Sequence, residues 1–278
     1  MSPALKKPKD ALVLRLISAS IMIPAGILVV WLGSGVLLAA GAICSLFMWH
    51  EFWTVTTGKR PDVWMVLIGL LMVFSLLAAH AFNASASVSL LVMSVLIAVL
   101  VFVGHKPFKV WLIGGAILIT GAVHGLLLLR GDSSAGLFLT FVVMAGVWIT
   151  DIAAYFAGRG FGGPKLAPKN SPNKTWSGAT GAMICTALVG ALFAGLIGGP
   201  VLPWMFLAGL VSVVAQFGDL CESQWKRRFG VKDSGQLIPG HGGILDRLDS
   251  LSGVLIFWGA VLMLMPDFPE RLLDLGTL

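Results

Sequence analysis

The residues best suited to chemistry sit together between Ser223 and Asp249. This run carries five cations, three carboxylates and a histidine, although only 12% of the chain is charged and 57% is hydrophobic. Asp246 and Asp249 are three residues apart at the start of an apolar segment, so on a helix they fall on one face. Asp219 and Glu222 repeat that spacing at the end of the preceding apolar segment. Two helix ends meeting at one depth would gather these carboxylates, and Mg²⁺ is usually held by one or two carboxylates plus substrate phosphates. The competing reading pairs the same acids with Arg227, Arg228 and Arg247. Between the two pairs, Pro239-Gly240-His241-Gly242-Gly243 forms a turn that opens into a helix, where free N–H groups attract phosphate. His241 has the chemistry to donate to a phosphate or to act as a base. The competing reading is a flexible loop feeding a helix, with His241 structural.

A second cluster lies upstream. Asp151 interrupts an apolar run, and an acid inside such a run is a functional candidate by default. Tyr155, the only tyrosine, is four residues on and shares its face. Gly158-x-Gly160-x-Gly162 is no dinucleotide fingerprint, because neither a strand nor a βαβ unit surrounds it. Ser171, Asn173, Lys174 and Thr175 offer hydroxyl, amide and ammonium donors suited to a phosphate or a nucleotide head. A solvated basic loop is the alternative. His50, Glu51, His80, His105 and His124 are scattered and read as interfacial or packing residues. Cys44, Cys185 and Cys221 form no CxxC pair and read as buried, reduced packing residues.

The elements that must position these groups are membrane helices. A soluble domain carries about 25% charged residues. Half that share, with a mean hydropathy of +0.93, places the 278-residue chain in the membrane class. Nine apolar runs are long enough to span, at roughly 11–31, 36–55, 63–80, 87–104, 111–129, 137–157, 178–197, 203–221 and 244–265. They lack period-two alternation and so predict helices: an all-α polytopic bundle of about nine spans. The first run is too long for a typical signal peptide and lacks an A-x-A site, so it reads as a retained helix. With the N-terminus in and the C-terminus out, 17 of the 19 basic residues fall on the cytoplasmic side, leaving Arg130 and Arg271 outside. The net charge of +6 thus belongs to one membrane face, where anionic lipid and nucleotide are better partners than nucleic acid. Residues 1–136 make the first five spans. Residues 137–278 make the other four, with long cytoplasmic loops at 158–177 and 222–243, and long loops in a tight bundle are usually functional. Gly121-x-x-x-Gly125 and Gly195-x-x-x-Gly199 suggest close helix packing, and the tail from Pro266 reads as dispensable.

The pattern Ser223-x-x-Lys226-Arg227-x4-Lys232-Asp233-x-Gly235-x-x-Ile238-Pro239-x-His241-Gly242-Gly243-x-x-Asp246-Arg247-x-Asp249 resembles the signature of the phosphatidate cytidylyltransferase (CDP-diacylglycerol synthase) family. Asp151-x-x-Ala154-Tyr155 and Ser171-Pro-Asn-Lys174-Thr175-Trp176 resemble further elements of it. Ser177 departs from the pattern, since the family commonly carries Glu after that Trp. The resemblance implies an integral membrane enzyme of the bacterial inner membrane, with its site facing the cytoplasm. It would use Mg²⁺ to convert CTP and phosphatidic acid into CDP-diacylglycerol and pyrophosphate, with a homodimer as a compatible assembly. It assigns Asp219, Asp246 and Asp249 to the metal, and Lys226, Arg227, Lys232 and Arg247 to phosphates or the leaving pyrophosphate. His241 joins this catalytic set. Ser171, Asn173, Lys174, Thr175, Ser223, Gly242, Gly243, Asp151 and Tyr155 would bind substrate. Three rivals are a CTP-dependent lipid kinase, a cytidylyltransferase acting on another lipid phosphate, and a cation-coupled transporter. The full 223–249 match argues against the kinase, and the lack of an internal repeat or paired broken helices against the transporter.

Overall fold

The structure, a computed structural model, describes residues 8–81 and 108–274. The helices are α1 (Pro8–Leu32), α2 (Ser34–Thr57), α3 (Val63–Ala81), α4 (Lys109–Arg130), α5 (Ser134–Phe161), α6 (Trp176–Ile197), α7 (Val201–Arg228), α8 (Leu245–Leu264) and α9 (Phe268–Asp274). Between α5 and α6 lie β1 (Lys165–Ala167) and β2 (Ser171–Thr175). Eight of the described helices are long and apolar enough to cross a membrane, as the nine-span reading requires. The expected span 87–104, with His105 and Lys106, lies outside the described residues, as do Lys6 and Lys7.

Neighbouring helices run mostly antiparallel, and several close approaches need glycine. Gly158 of α5 faces Gly178 of α6, where an added Cβ would sit 2.9 Å from Thr175 Oγ1. Gly218 of α7 crosses Gly253 of α8, with only 2.9 Å from an added Cβ to the Asp249 carbonyl. The Gly121/Gly125 pair meets Ile256, Leu255 and Gly259 of α8, so that spacing does mark helix packing. Gly195 faces open space, and the second spacing marks no such contact.

Two large cores hold the described part of the bundle. At one end, Trp49, Phe52 and Trp53 of α2 pack with Met72, Leu112, Ile119, Trp225 and Leu245. Phe52 stacks on Trp225 at 4.4 Å, and the Trp225 indole N–H donates to Thr56 Oγ1 at 3.0 Å. Towards the opposite end, Leu139, Val143, Trp204, Val211, Leu255 and Trp258 form the second core. Arg130 is buried there and donates to the carbonyls of Val30 at 2.8 Å and Trp31 at 3.2 Å, tying down the α1–α2 joint. Large apolar side chains such as Leu16, Ile21, Phe74, Leu196, Phe206 and Phe217 face outward, as a lipid-embedded surface requires.

Several expectations are corrected. α7 continues to Arg228, so the loop expected at 222–243 begins only after it, and its last helical turn carries Lys226, Arg227 and Arg228. The 158–177 loop is mostly ordered: α5 reaches Phe161, and β1 and β2 form an antiparallel hairpin. Cys185 is exposed and Cys44 and Cys221 are half-buried, so the cysteines are not a buried set, although all three are free thiols. The tail is no loose end either. Leu272 of α9 packs into the second core, and Glu270 accepts a 2.8 Å hydrogen bond from Ser133.

Candidate active site

The ends of α2, α5 and α7 and the starts of α1, α6 and α8 converge at the first core's end of the bundle, and the sequence-predicted residues lie there. Asp219, near the end of α7, pairs with Lys174 of β2, which draws the hairpin against the helix. Ser223, one turn on, donates to Asp219 Oδ1 at 3.2 Å. Asp249 of α8 lies within Coulombic reach of both Asp219 and Asp151 of α5. Asp151 in turn senses Asp219, Lys174 and Arg247, with the Ser250 side chain beside it. Three helices thus bring Asp151, Asp219 and Asp249 into one field, with Lys174, Lys226 and Arg247 as the opposing cations. Among the described residues, no group of three His, Cys, Asp or Glu side chains is arranged to hold a metal ion by itself. The donor set nonetheless suits Mg²⁺, which takes one or two carboxylates and completes its shell with phosphates and water.

Asp246 and Lys226 behave differently from the expectation. Asp246 Oδ1 accepts from Lys226 Nζ at 2.7 Å, and Lys226 also pairs with Glu222 at 3.1 Å. Asp246 Oδ2 accepts from Ser234 N at 2.8 Å, Ser234 Oγ at 3.0 Å and Gly243 N at 2.9 Å. Both oxygens are therefore committed to the protein, with the side chain only 3% exposed. Lys226 is likewise held by two carboxylates instead of presenting its ammonium to a phosphate. The physical reason is the N-terminus of α8, buried and without a side-chain cap from its own N-cap residue, whose N–H groups demand an anion. That anion is supplied from within, so Gly243 N–H is not free for phosphate. Gly242 adopts φ +86°, the left-handed conformation that the turn requires.

A residue that the sequence reading set aside completes this arrangement. Glu51 of α2 is buried, and its Oε1 accepts from Ile244 N at 3.0 Å. Its Oε2 accepts from Leu245 N at 3.0 Å and lies 3.1 Å from Ser234 Oγ, whose single proton it shares with Asp246 Oδ2. An added Cβ would lie 2.7 Å from Glu51 Oε1 at Gly235 and 2.5 Å from Oε2 at Gly243, which explains both glycines. The signal was available: an acid within an apolar helix, the same rule that singled out Asp151.

The other candidates take varied places. Thr175 is buried and caps α6, accepting from Gly178 N at 3.1 Å; that role replaces the expected substrate contact. Ser177 donates to the Gly162 carbonyl and bonds Thr175 Oγ1 at 3.0 Å, so the departure from Glu serves to close the α5–β1 turn. Ser171 is half-buried and Asn173 exposed on β2. Tyr155 is exposed, and its hydroxyl accepts from Arg159 at 2.8 Å. Arg227 Nε donates to the Asn170 carbonyl at 3.3 Å and its Nη1 to the Val231 carbonyl at 3.0 Å, joining hairpin and loop. Lys232 and Arg247 are exposed at this end. His241 Nδ1 lies 2.6 Å from Ser18 Oγ of α1, and Arg15 donates to the Gly240 carbonyl at 3.0 Å. Desolvation, then Arg247 and Arg15, hold the His241 imidazole below its usual pKa of 6.5.

Comparison with known proteins bears on this arrangement. The cytidylyltransferase family profile matches residues 13–265. The phosphatidate cytidylyltransferase of Brucella suis is 38% identical over 272 residues, covering 93% of this chain and 96% of that protein. The protein of the same name from Pseudomonas aeruginosa is 35% identical, covering 89% of this chain and 96% of its own length. A Haemophilus influenzae namesake is 44% identical over 133 residues, 46% of each chain. With a profile spanning nearly every described helix, and the Brucella and Pseudomonas proteins matched almost end to end, this chain belongs to the cytidylyltransferase family.

Proposed function

We propose that this protein is a phosphatidate cytidylyltransferase of the bacterial inner membrane, moving CMP from CTP to phosphatidic acid at the cytoplasmic face. The observation that carries the reading is the Asp151–Asp219–Asp249 cluster, gathered from three helices at the end of the bundle where the basic residues concentrate. That concentration of basic residues supports the cytoplasmic orientation.

In the reaction, an oxygen of the lipid phosphate attacks the α-phosphorus of CTP and forms the new P–O bond. The bond to the β-phosphate breaks, and pyrophosphate leaves with the electron pair. The lipid phosphate is already anionic, so no strong base is needed and alignment with charge neutralisation carries the catalysis. Asp219 and Asp249, with Asp151 beside them, are the residues that would hold Mg²⁺, which when bound would offset the charge of the phosphates. Arg247 and Lys232, exposed at the site, are the cations available to the nucleotide phosphates. Lys174, paired with Asp219, sits where it can exchange that carboxylate for an incoming phosphate oxygen. The membrane position gives the lipid a lateral approach and CTP an approach from water.

The test uses purified protein with CTP, phosphatidic acid vesicles and Mg²⁺. Release of pyrophosphate that requires both substrates, and is lost in Asp219→Asn and Asp249→Asn, is expected. Folded protein that releases none, or variants as active as wild type across a Mg²⁺ titration, would overturn the assignment.

A further inference from the structure

The α8 helix begins without a cap of its own: Ile244 precedes it in helical conformation and contributes no side-chain hydrogen bond. Its first free N–H groups are instead bound by a carboxylate from a helix nearly two hundred residues away in sequence. Glu51 takes Ile244 N, Leu245 N and Ser234 Oγ, and Ser234 passes the connection to Asp246, Lys226 and Glu222. This continuous chain links α2, the 229–244 loop, α8 and α7. Its fixed points bracket Asp249, one turn into α8, and Asp219, one turn before Glu222 on α7.

We infer that Glu51 is a positioning residue for the transfer reaction, setting the orientation of α8 so that Asp249 faces Asp219 and Asp151. The inference rests on the proposed reading of that cluster. Glu51 touches neither carboxylate and acts through the backbone of Ile244 and Leu245. The geometry around it favours a carboxylate specifically: three donors converge on two oxygens, and an amide would turn an NH₂ group towards some of them. Burial makes that mismatch costly. The glycines at 235 and 243 leave room for the Glu51 side chain and for nothing larger. The N-terminal helices thereby take part in the site without contributing a group that touches substrate.

The test compares Glu51→Gln and Ser234→Ala with wild type in the full-length purified protein, with Arg130→Lys as a control that loosens the same N-terminal helices at the opposite end. For Glu51→Gln, kcat per folded protein should fall about tenfold to a hundredfold, the range seen when a supporting residue behind an active group is lost. The KM for phosphatidic acid should hold. Ser234→Ala should move kcat in the same direction by less, and the double variant should be no worse than Glu51→Gln alone, because both cut one chain. Arg130→Lys should lower the melting temperature while leaving kcat per folded protein unchanged. Independently of activity, hydrogen exchange at the Ile244 and Leu245 amides should accelerate in Glu51→Gln. Wild-type kcat per folded protein in Glu51→Gln, or unchanged exchange at those amides, would overturn the inference. A wild type that transfers no CMP defeats the functional reading instead, and the exchange measurement still decides whether Glu51 holds α8.

Discussion

Asp246 and Asp249 share one helical turn and take different partners: Asp246 is held by Lys226, Ser234 and Gly243, while Asp249 lies in the field of Asp219 and Asp151. Three residues advance a helix by 300°, leaving about 60° between the two side chains. One spacing rule places both on the same face, yet that angle is enough to send Asp246 into the loop and Asp249 towards Asp219. The sequence therefore located both acids without separating their roles. Their replacements should fail differently. Asp246→Asn leaves Lys226 paired with Glu222 but turns an amide NH₂ towards donors that Asp246 accepts from, Lys226 Nζ on one side or Ser234 N and Gly243 N on the other, and a buried donor left without its acceptor costs about 1–3 kcal/mol. The expected result is a marked loss of thermal stability in detergent. Asp249→Asn should retain wild-type melting and lose activity. Lys174→Met, which removes the cation beside Asp219, should lower kcat/KM about a hundredfold, measured by pyrophosphate release.

At the level of elements, local propensity explains the helices and tertiary contacts explain what caps them. The apolar runs foretold the helices within several residues, since their length in a bilayer leaves few alternatives. The hairpin was hidden because Ser171–Thr175 has no alternation of apolar and polar residues; its register is set by pairing with β1 and by Lys174 reaching Asp219. Glu51 was hidden because its partners lie in another helix and loop. Thr175 should act as an ordinary cap, so Thr175→Ala should cost about 1 kcal/mol of stability in a denaturant titration. The turn at 239–241 carries a pH dependence. His241 titrates below 6.5 in the folded protein, so the unfolded chain takes up its proton first as pH falls. The contribution of the neutral imidazole is present above about pH 6.5 and is lost on acidification. Hydrogen exchange at 238–242 should therefore quicken as pH drops through that range, after correction for the intrinsic rate. His241→Gln should flatten the dependence.

At the level of the whole molecule, the site is a meeting of helix ends held together by charges. Asp151, Asp219 and Asp249 come from three helices, and the chain inferred to position Asp249 against Asp219 reaches back to α2. Orientation follows from the basic residues: a cysteine at the exposed Lys169 should be shielded from an impermeant thiol reagent in intact cells, and one at the exposed Asp132 should react. The opposite pattern would place the site away from the cytoplasmic nucleotide. The central claim, that this end of the bundle transfers CMP to a lipid phosphate, is tested most directly by the fate of label from CTP. With phosphatidic acid and Mg²⁺, label at the α-phosphorus should appear in the lipid fraction and label at the γ-phosphorus in soluble pyrophosphate. A γ-label recovered in lipid, with the α-label left in CDP, would contradict the account and make the protein a kinase.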